Sequence, residues 1–185
     1  MNRRTLLAVF TAAVISACAT PNVQIGPDGL PLPQVYWIEP ADKARVLYSM
    51  LDSVNAVRQN AGIPQVSLNA RLNAAAATHS RDMALQNRPW HFGSDGSSPL
   101  DRGRRVGYEG FILGETISET YETEIQTLGA WLSQSDTKAV LLDPKANEMG
   151  FAWTQETNGK IWWTLVLAKA SMNYNASVPL EFLQN

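Results

Sequence analysis

The sequence is poor in residues that several classes of protein need. Its 185 residues include one cysteine and two histidines, which excludes an intramolecular disulfide and a zinc framework of cysteine and histidine. Charged residues make up 17% of the chain and the net charge is -2, so a basic surface for nucleic acid is absent. Internal repeats and low-complexity segments are also missing. We therefore expect no nucleic-acid partner.

What the chain does have is the composition of one packed domain. Hydrophobic residues account for 45% of the sequence, which is ordinary for a globular protein and argues against disorder. A chain of this length buries enough surface to hold a core without disulfides. We expect one domain.

The first residues are typical of an export signal. Arg3 and Arg4 are followed by an uncharged stretch, Thr5–Ala17, which is shorter than the roughly 20 residues of a membrane span. The stretch ends in Ile15-Ser16-Ala17-Cys18, which resembles the lipobox of bacterial lipoproteins. We expect residues 1–17 to be a signal peptide and Cys18 to carry lipid, although a standard secretory signal with an incidental cysteine is the alternative.

Residues 18–40 are predicted to be a tether between the lipid and the domain. Five of the ten prolines lie in this segment, and proline-rich chains are extended spacers. Val35–Ile38 are too apolar for a bare linker, so the end of the tether is expected to pack on the domain. Ala19 is not the aspartate that commonly retains lipoproteins in the inner membrane, which favours the outer membrane.

Hydrophobic periodicity predicts several helices ahead of a late β-hairpin. The helices are predicted at about 42–60, 69–87, 122–134 and 137–142. Phe151–Gln155 and Lys160–Ala168 are predicted to pair around a two-residue turn at Asn158-Gly159, which places Trp153 opposite Thr164. Both faces of the hairpin are apolar, so helices should cover both.

These elements predict an α+β fold. We expect a three-layer α-β-α sandwich over residues 41–168 with a central, mostly antiparallel sheet, and a tail at 169–185 packed on the domain. Residues 89–118 contain six glycines and little helical periodicity. They are predicted to form a long loop, and long loops in compact domains tend to be functional.

An ordered series of motifs resembles one protein family. The quoted segments are LDSVNAVRQNAG (51–62), ATHSRDMA (77–84), HFGSDGSSP (91–99), Gly107-Tyr108, GETI (114–117), Trp131 and the hairpin 150–168. Together they resemble the CAP superfamily, the cysteine-rich secretory, antigen 5 and pathogenesis-related proteins, also called SCP-like domains. The resemblance covers about residues 47–168 and implies the same α-β-α sandwich.

The resemblance also implies a cleft. Many members of the family present two histidines and two acidic residues around it. His91 matches the first histidine and Glu115 the first glutamate, whereas Gln134 stands at the second acidic position and the second histidine would fall near Thr137. Half of the constellation is therefore present. Since structural zinc typically takes four protein ligands, we expect no metal and no cofactor.

Several residues are candidates for the cleft. His91 and Glu115 are predicted to form a charge-assisted hydrogen bond, which would either pin the loop, serve ligand binding, or orient a general base. Trp90 is a candidate cleft wall, and Asp95 is either a cleft acid or a turn residue. His79 lies on an apolar helix face and is expected in the core. Asp101, Arg102, Arg104 and Arg105 are expected on a solvated face or a basic lip.

We expect a lipid-anchored protein of the cell envelope, facing the periplasm or the cell exterior. The leading hypothesis is a binding module for an envelope lipid or glycan, through a cleft of His91, Glu115, Trp90, Asp95, Gln134 and Thr137. An enzyme is the less favoured class: the alternative is a protease-like or glycan-directed hydrolase that uses His91 and Glu115. A structural or interaction protein with a degenerate cleft is the third hypothesis. The sequence identifies no protein partner.

Overall fold

The structure is a computed structural model, and it describes Pro27 and residues 35–171. The predicted signal peptide, Cys18, most of the tether and residues 172–185 lie outside the described residues. Within the described part of the chain, none of the helices combines the length and apolar character needed to cross a bilayer.

In the part of the chain that the structure describes, four strands form one mixed sheet. The strands are β1 (Ser67–Leu68), β2 (Phe111–Thr120), β3 (Glu148–Gln155) and β4 (Ile161–Lys169). Their order is β1-β3-β4-β2; β1 and β3 are parallel, and the other two pairings are antiparallel. The prediction of an α+β fold with a mostly antiparallel sheet is confirmed.

Residues 35–171 also contain five α-helices. They are α1 (Lys43–Asn60), preceded by a 3-10 turn at Pro40–Asp42, α2 (Ala70–Gln86), α3 (Pro99–Arg105), α4 (Glu124–Ser133) and α5 (Ser135–Leu141). Polar side chains begin three of them: Asn69 accepts backbone N–H bonds at the start of α2, and Ser98 and Thr123 form capping boxes on α3 and α4. Such caps satisfy N–H groups that have no partner inside the helix.

The prediction of a long loop over residues 89–118 is wrong. This segment contains α3 and most of β2. Helix α3 has only seven residues, too few to show a helical period, and its start depends on the local Ser98–Asp101 capping box. Strand β2 lies at the edge of the sheet and carries glycine and polar residues, so its sequence does not read as a buried strand.

Helices cover both faces of the sheet, as predicted. One core lies between the sheet and α1, α4 and α5; it includes Met50, Trp131 and Trp163. The second core lies on the other face, where Leu72 and Ala76 of α2 pack against Val166 of β4. The described domain is therefore a three-layer sandwich.

The register of the β3–β4 hairpin differs from the prediction by one residue. Trp153 lies opposite Trp163 rather than Thr164. The loop contains three residues, because the Gly159 N–H donates to the Glu156 carbonyl and Glu156 pairs with Lys160. Of the three loop residues, Gly159 alone has a positive φ, +90°, as expected for a type I turn followed by a glycine bulge. Phe151 and Trp153 therefore share a face with Trp163, in the first core.

The end of the predicted tether packs on the domain, as expected from its apolar residues. Tyr36 and Ile38 contact the first core. The Gln155 side chain donates to the Tyr36 carbonyl and accepts from the Ile38 N–H. The Tyr36 N–H donates to the Tyr121 carbonyl, and its hydroxyl donates to the buried carboxylate of Glu124.

Candidate functional site

Glu115 is at the centre of the candidate site. It lies on β2 directly opposite Val166 of β4, so its side chain is on the face of the sheet that α2 and α3 cover. The side chain is 1% exposed. A buried carboxylate needs cations or hydrogen-bond donors around it, and His91 and Arg102 provide them, with His79 close by.

His91 provides the first of these contacts. Its Nδ1 lies 2.9 Å from Glu115 Oε1. Because a carboxylate accepts hydrogen bonds, Nδ1 carries the hydrogen of this bond. The other ring nitrogen, Nε2, is not used in the contact with Glu115. The His91 side chain is 51% exposed. The structure thus brings together the two residues expected to pair.

Arg102 holds the other carboxylate oxygen. Its Nη2 donates to Glu115 Oε2 at 2.7 Å, and its Nη1 donates to the carbonyls of His91 and Ser97 at 3.1 and 2.9 Å. Arg102 is buried, so its assignment to a solvated face or lip is wrong. The guanidinium fixes both the carboxylate and the backbone of the His91 segment, because its donors have a rigid planar geometry.

His79 is the third neighbour of Glu115. It is fully buried on α2, as expected, and its Nε2 donates to the Trp90 carbonyl at 3.0 Å and lies 3.5 Å from Glu115 Oε1. Burial lowers the pKa of His79, and Arg102 adds to this effect while Glu115 opposes it. His79 is therefore neutral, and its buried Nδ1 has no partner among the described residues.

Two aromatic side chains flank His91. The Trp90 and Phe92 rings meet edge to face with centroids 5.8 Å apart. Trp90 is held in place by the Arg88 guanidinium, 3.6 Å from its ring centroid, and by a bond from its Nε1 to the Gln86 side chain. Phe92 is 49% exposed. An imidazole and an aromatic ring are thus presented side by side.

The remaining predicted cleft residues lie elsewhere. Asp95 accepts from the Ser97 N–H, as a turn residue does, and pairs with Arg105. Gln134 is exposed between α4 and α5, and the Thr137 hydroxyl donates to the Trp131 carbonyl at 2.5 Å. Helices α4 and α5 belong to the opposite layer from the Glu115 side chain. None of the described contacts joins these three residues to His91 or Glu115.

The donor set is poorly suited to a metal. Within residues 35–171, no cluster of three or more histidine, cysteine, aspartate or glutamate side chains is arranged to hold an ion. Both oxygens of Glu115 are already bonded within the protein.

Sequence reasoning missed two members of the site, Arg102 and the contact of His79 with Glu115. Arg102 lies in an arginine-rich heptapeptide, Pro99–Arg105, which as a sequence is typical of a solvated surface. The polar His79 within an apolar helix face was the available signal, since a buried histidine needs hydrogen-bond partners. Neither sequence position indicates that Glu115 is the common partner.

The fold and the site together define a class of protein. It is an α-β-α domain in which a buried glutamate orients an exposed histidine. The profile of the cysteine-rich secretory protein family, CAP, matches residues 51–167. The chain belongs to this family, as the sequence motifs predicted.

One curated relative is similar at the sequence level. It is "Uncharacterized protein YkwD" of Bacillus subtilis (strain 168), 24% identical over 120 residues. The match covers 65% of this chain and 46% of that protein, so the chain spans about half the length of the relative.

Solved structures share the fold. An outer surface protein from Borrelia burgdorferi matches with a TM-score of 0.63 and 16% identity, over 75% of this chain and 100% of that one. An extracellular protein containing an SCP domain from Bacillus anthracis str. Ames matches with a TM-score of 0.63 and 20% identity, over 72% and 45%. At these identities the likeness shows the fold alone.

Proposed function

We propose that this chain is a binding module of the cell envelope, anchored by lipid on Cys18, that takes an envelope ligand at the surface around His91. The observation that carries the proposal is the fixed and exposed imidazole: Glu115 orients His91 from behind, and Arg102 fixes Glu115. A prearranged polar group loses little freedom when a ligand binds. We define the binding surface as Trp90, His91 and Phe92.

Of the two ligand classes expected, lipid and glycan, the binding surface favours a glycan. With its Nδ1 bonded to Glu115, His91 presents Nε2 to a ligand, and an imidazole nitrogen without a hydrogen is an acceptor, which suits the hydroxyl and amide N–H donors of sugars. Phe92, half exposed beside it, offers an apolar ring on which a sugar face can rest. A lipid tail would use the ring but not the acceptor.

The proposal is tested with the full chain carrying Cys18→Ser, by native mass spectrometry with chitotriose and with phosphatidylglycerol vesicles as separate probes. We expect a chitotriose adduct that weakens about tenfold in His91→Ala and in Phe92→Ala, since each change removes one contact of the order of 1 kcal/mol or more. Phe111→Ala is the matched control, because Phe111 is another exposed aromatic residue, on β2.

The other outcomes decide between the classes. If the protein binds the vesicles but not chitotriose, and Phe92→Ala loses that binding, the ligand is a lipid rather than a glycan. Equal binding of wild type, His91→Ala and Phe92→Ala would contradict a ligand site at this surface. The hypothesis of a structural or interaction protein would then remain.

A hydrolase is the second candidate, since a carboxylate behind the Nδ1 of an exposed histidine is the arrangement that orients a general base. Among the described residues, however, no hydroxyl contacts His91 Nε2, and a base must reach the proton that it removes. Cleavage of chitotriose by the wild type but not by His91→Ala, in the same spectra, would establish this function instead.

A further inference from the structure

A cavity of about 300 Å³ lies beside the loop that follows the binding surface. Its walls come from α2, α3 and the loop 94–97. Among the residues that line it are Arg81, Asp82, Asp95, Arg102 and Arg105, whereas His91 and Phe92 do not line it. The volume is at the lower end of the range for small-ligand pockets.

Arg102 gives this cavity a buried cation with an unused donor. Its side chain is 5% exposed, and its Nη1 and Nη2 bond to the carbonyls of His91 and Ser97 and to Glu115. Among the described residues, its Nε–H has no acceptor. Since a guanidinium carries five N–H donors and three are used, the side chain has capacity for two more acceptors, Nε–H among the donors, and a ligand in the cavity can supply them.

Three arginines and two aspartates line the cavity. Asp95 is paired with Arg105, and both side chains are about half exposed. Asp82 Oδ2 accepts from the Ser94 N–H at 2.6 Å and from the Gln86 side chain at 3.1 Å. Arg81 is exposed on α2, with no acceptor among the described residues. The two carboxylates are thus engaged within the protein, while guanidinium donors remain.

We propose that this cavity binds the anionic group of a small ligand, a carboxylate or a phosphate, with Arg102 at its inner wall and Arg81 and Arg105 at its rim. Arginine matches both groups because its planar donors fit two oxygens at once. This anion cavity is separate from the binding surface, so the inference goes beyond the proposed function and does not depend on it.

The test is an NMR titration of the 15N-labelled full chain carrying Cys18→Ser. Inorganic phosphate and acetate are the two probes, and sodium chloride at equal ionic strength measures screening. We expect a saturable shift of the Arg102 Nε–H signal and of the Ser94 and Ser97 amide signals with one of the probes. Which probe saturates identifies the phosphate or the carboxylate class.

Charge variants at the rim have opposite expected effects. Arg105→Gln should weaken the binding of the anion about tenfold, as the loss of a charge-assisted hydrogen bond does. Asp95→Asn should strengthen it, because the amide can still accept from the Ser97 N–H while a competing negative charge is removed. Arg104→Gln is the matched control, since Arg104 is exposed on the same helix but does not line the cavity.

Three results would overturn the proposal. The first is that the NMR shifts with phosphate and acetate grow linearly or match those with sodium chloride. The second is that Arg105→Gln and Arg104→Gln change the affinity for the anion equally. The third is that Asp95→Asn binds the anion more weakly than the wild type. His91→Ala should leave the titration unchanged, so failure of this site is distinguishable from failure of the binding surface.

Discussion

Among single residues, one buried carboxylate matters most to the site. Glu115 contacts Arg102 and His91 through different oxygens, and the neutral His79 lies behind them. Removing one partner of a buried ion pair typically lowers the free energy of unfolding by about 3–5 kcal/mol. The exposed His91 can therefore be changed at low cost to the fold, whereas Glu115 and Arg102 join the site to the core.

His79 should make the fold sensitive to pH. Its pKa is lowered in the folded chain by burial, while in the unfolded chain it is about 6.5. Between these two values the unfolded state binds more protons, so the free energy of unfolding falls as the pH falls from about 7 through the folded pKa. In His79→Gln, whose amide can still donate to the Trp90 carbonyl but does not titrate, we expect a shallower fall.

Urea unfolding at about pH 7.5, 6.5 and 5.5, a range that brackets the unfolded pKa, measures this difference. His91→Gln is the control, since His91 is the second histidine of the chain and its side chain is half exposed. Parallel stability curves for the wild type and His79→Gln would show that the buried imidazole is not the titrating group.

Among the helices and strands, two glycines differ in whether a Cβ would be tolerated: one in the hairpin loop and one in α4. Gly159 has a φ of +90°, and a Cβ there would collide with Val35. Gly129 lies in α4, with open space where its Cβ would be. We expect Gly159→Ala to lower the free energy of unfolding by roughly 2 kcal/mol, and Gly129→Ala to raise it by about 0.5–1 kcal/mol.

Urea unfolding of the two variants beside the wild type tests this pair. The same substitution at two sites cancels effects common to every change of glycine to alanine in the unfolded chain. A stable Gly159→Ala variant would contradict the three-residue loop, and with it the observed hairpin register.

For the molecule as a whole, the proposed lipid anchor decides where the domain acts. Acyl chains on Cys18 would hold the protein to a membrane, because each buried methylene contributes about 0.8 kcal/mol. We expect the wild type to sediment with bacterial membranes and Cys18→Ser to stay in the supernatant. Ala19→Asp should keep the lipid but move the protein to the inner-membrane fraction.

Mass spectrometry of the membrane-bound protein provides the direct measurement. A wild-type chain cut before Cys18 and carrying acyl mass supports the anchor. An unacylated chain that sediments equally in wild type and Cys18→Ser would indicate another mode of membrane attachment.

Local patterns in the sequence were enough to predict the fold class and most of the elements. Helices α1, α2 and α4 follow from apolar residues at helical spacing, and Asn69 marks the start of α2. The His91–Glu115 pair was predicted from ordered family motifs, and the structure brings these two side chains to hydrogen-bond distance. These features are local or rest on motif order, so they can be read along the chain.

The surroundings of Glu115, in contrast, depend on how distant segments pack. Arg102 belongs to a short charged helix whose burial depends on β2 lying beneath it, and His79 meets Glu115 because α2 crosses the same face of the sheet. The hairpin register was not predicted either, because Asn158-Gly159 is compatible with a two-residue turn and with the three-residue loop and glycine bulge that the structure has. The contacts of Glu115 arise from packing between layers, which no local pattern encodes.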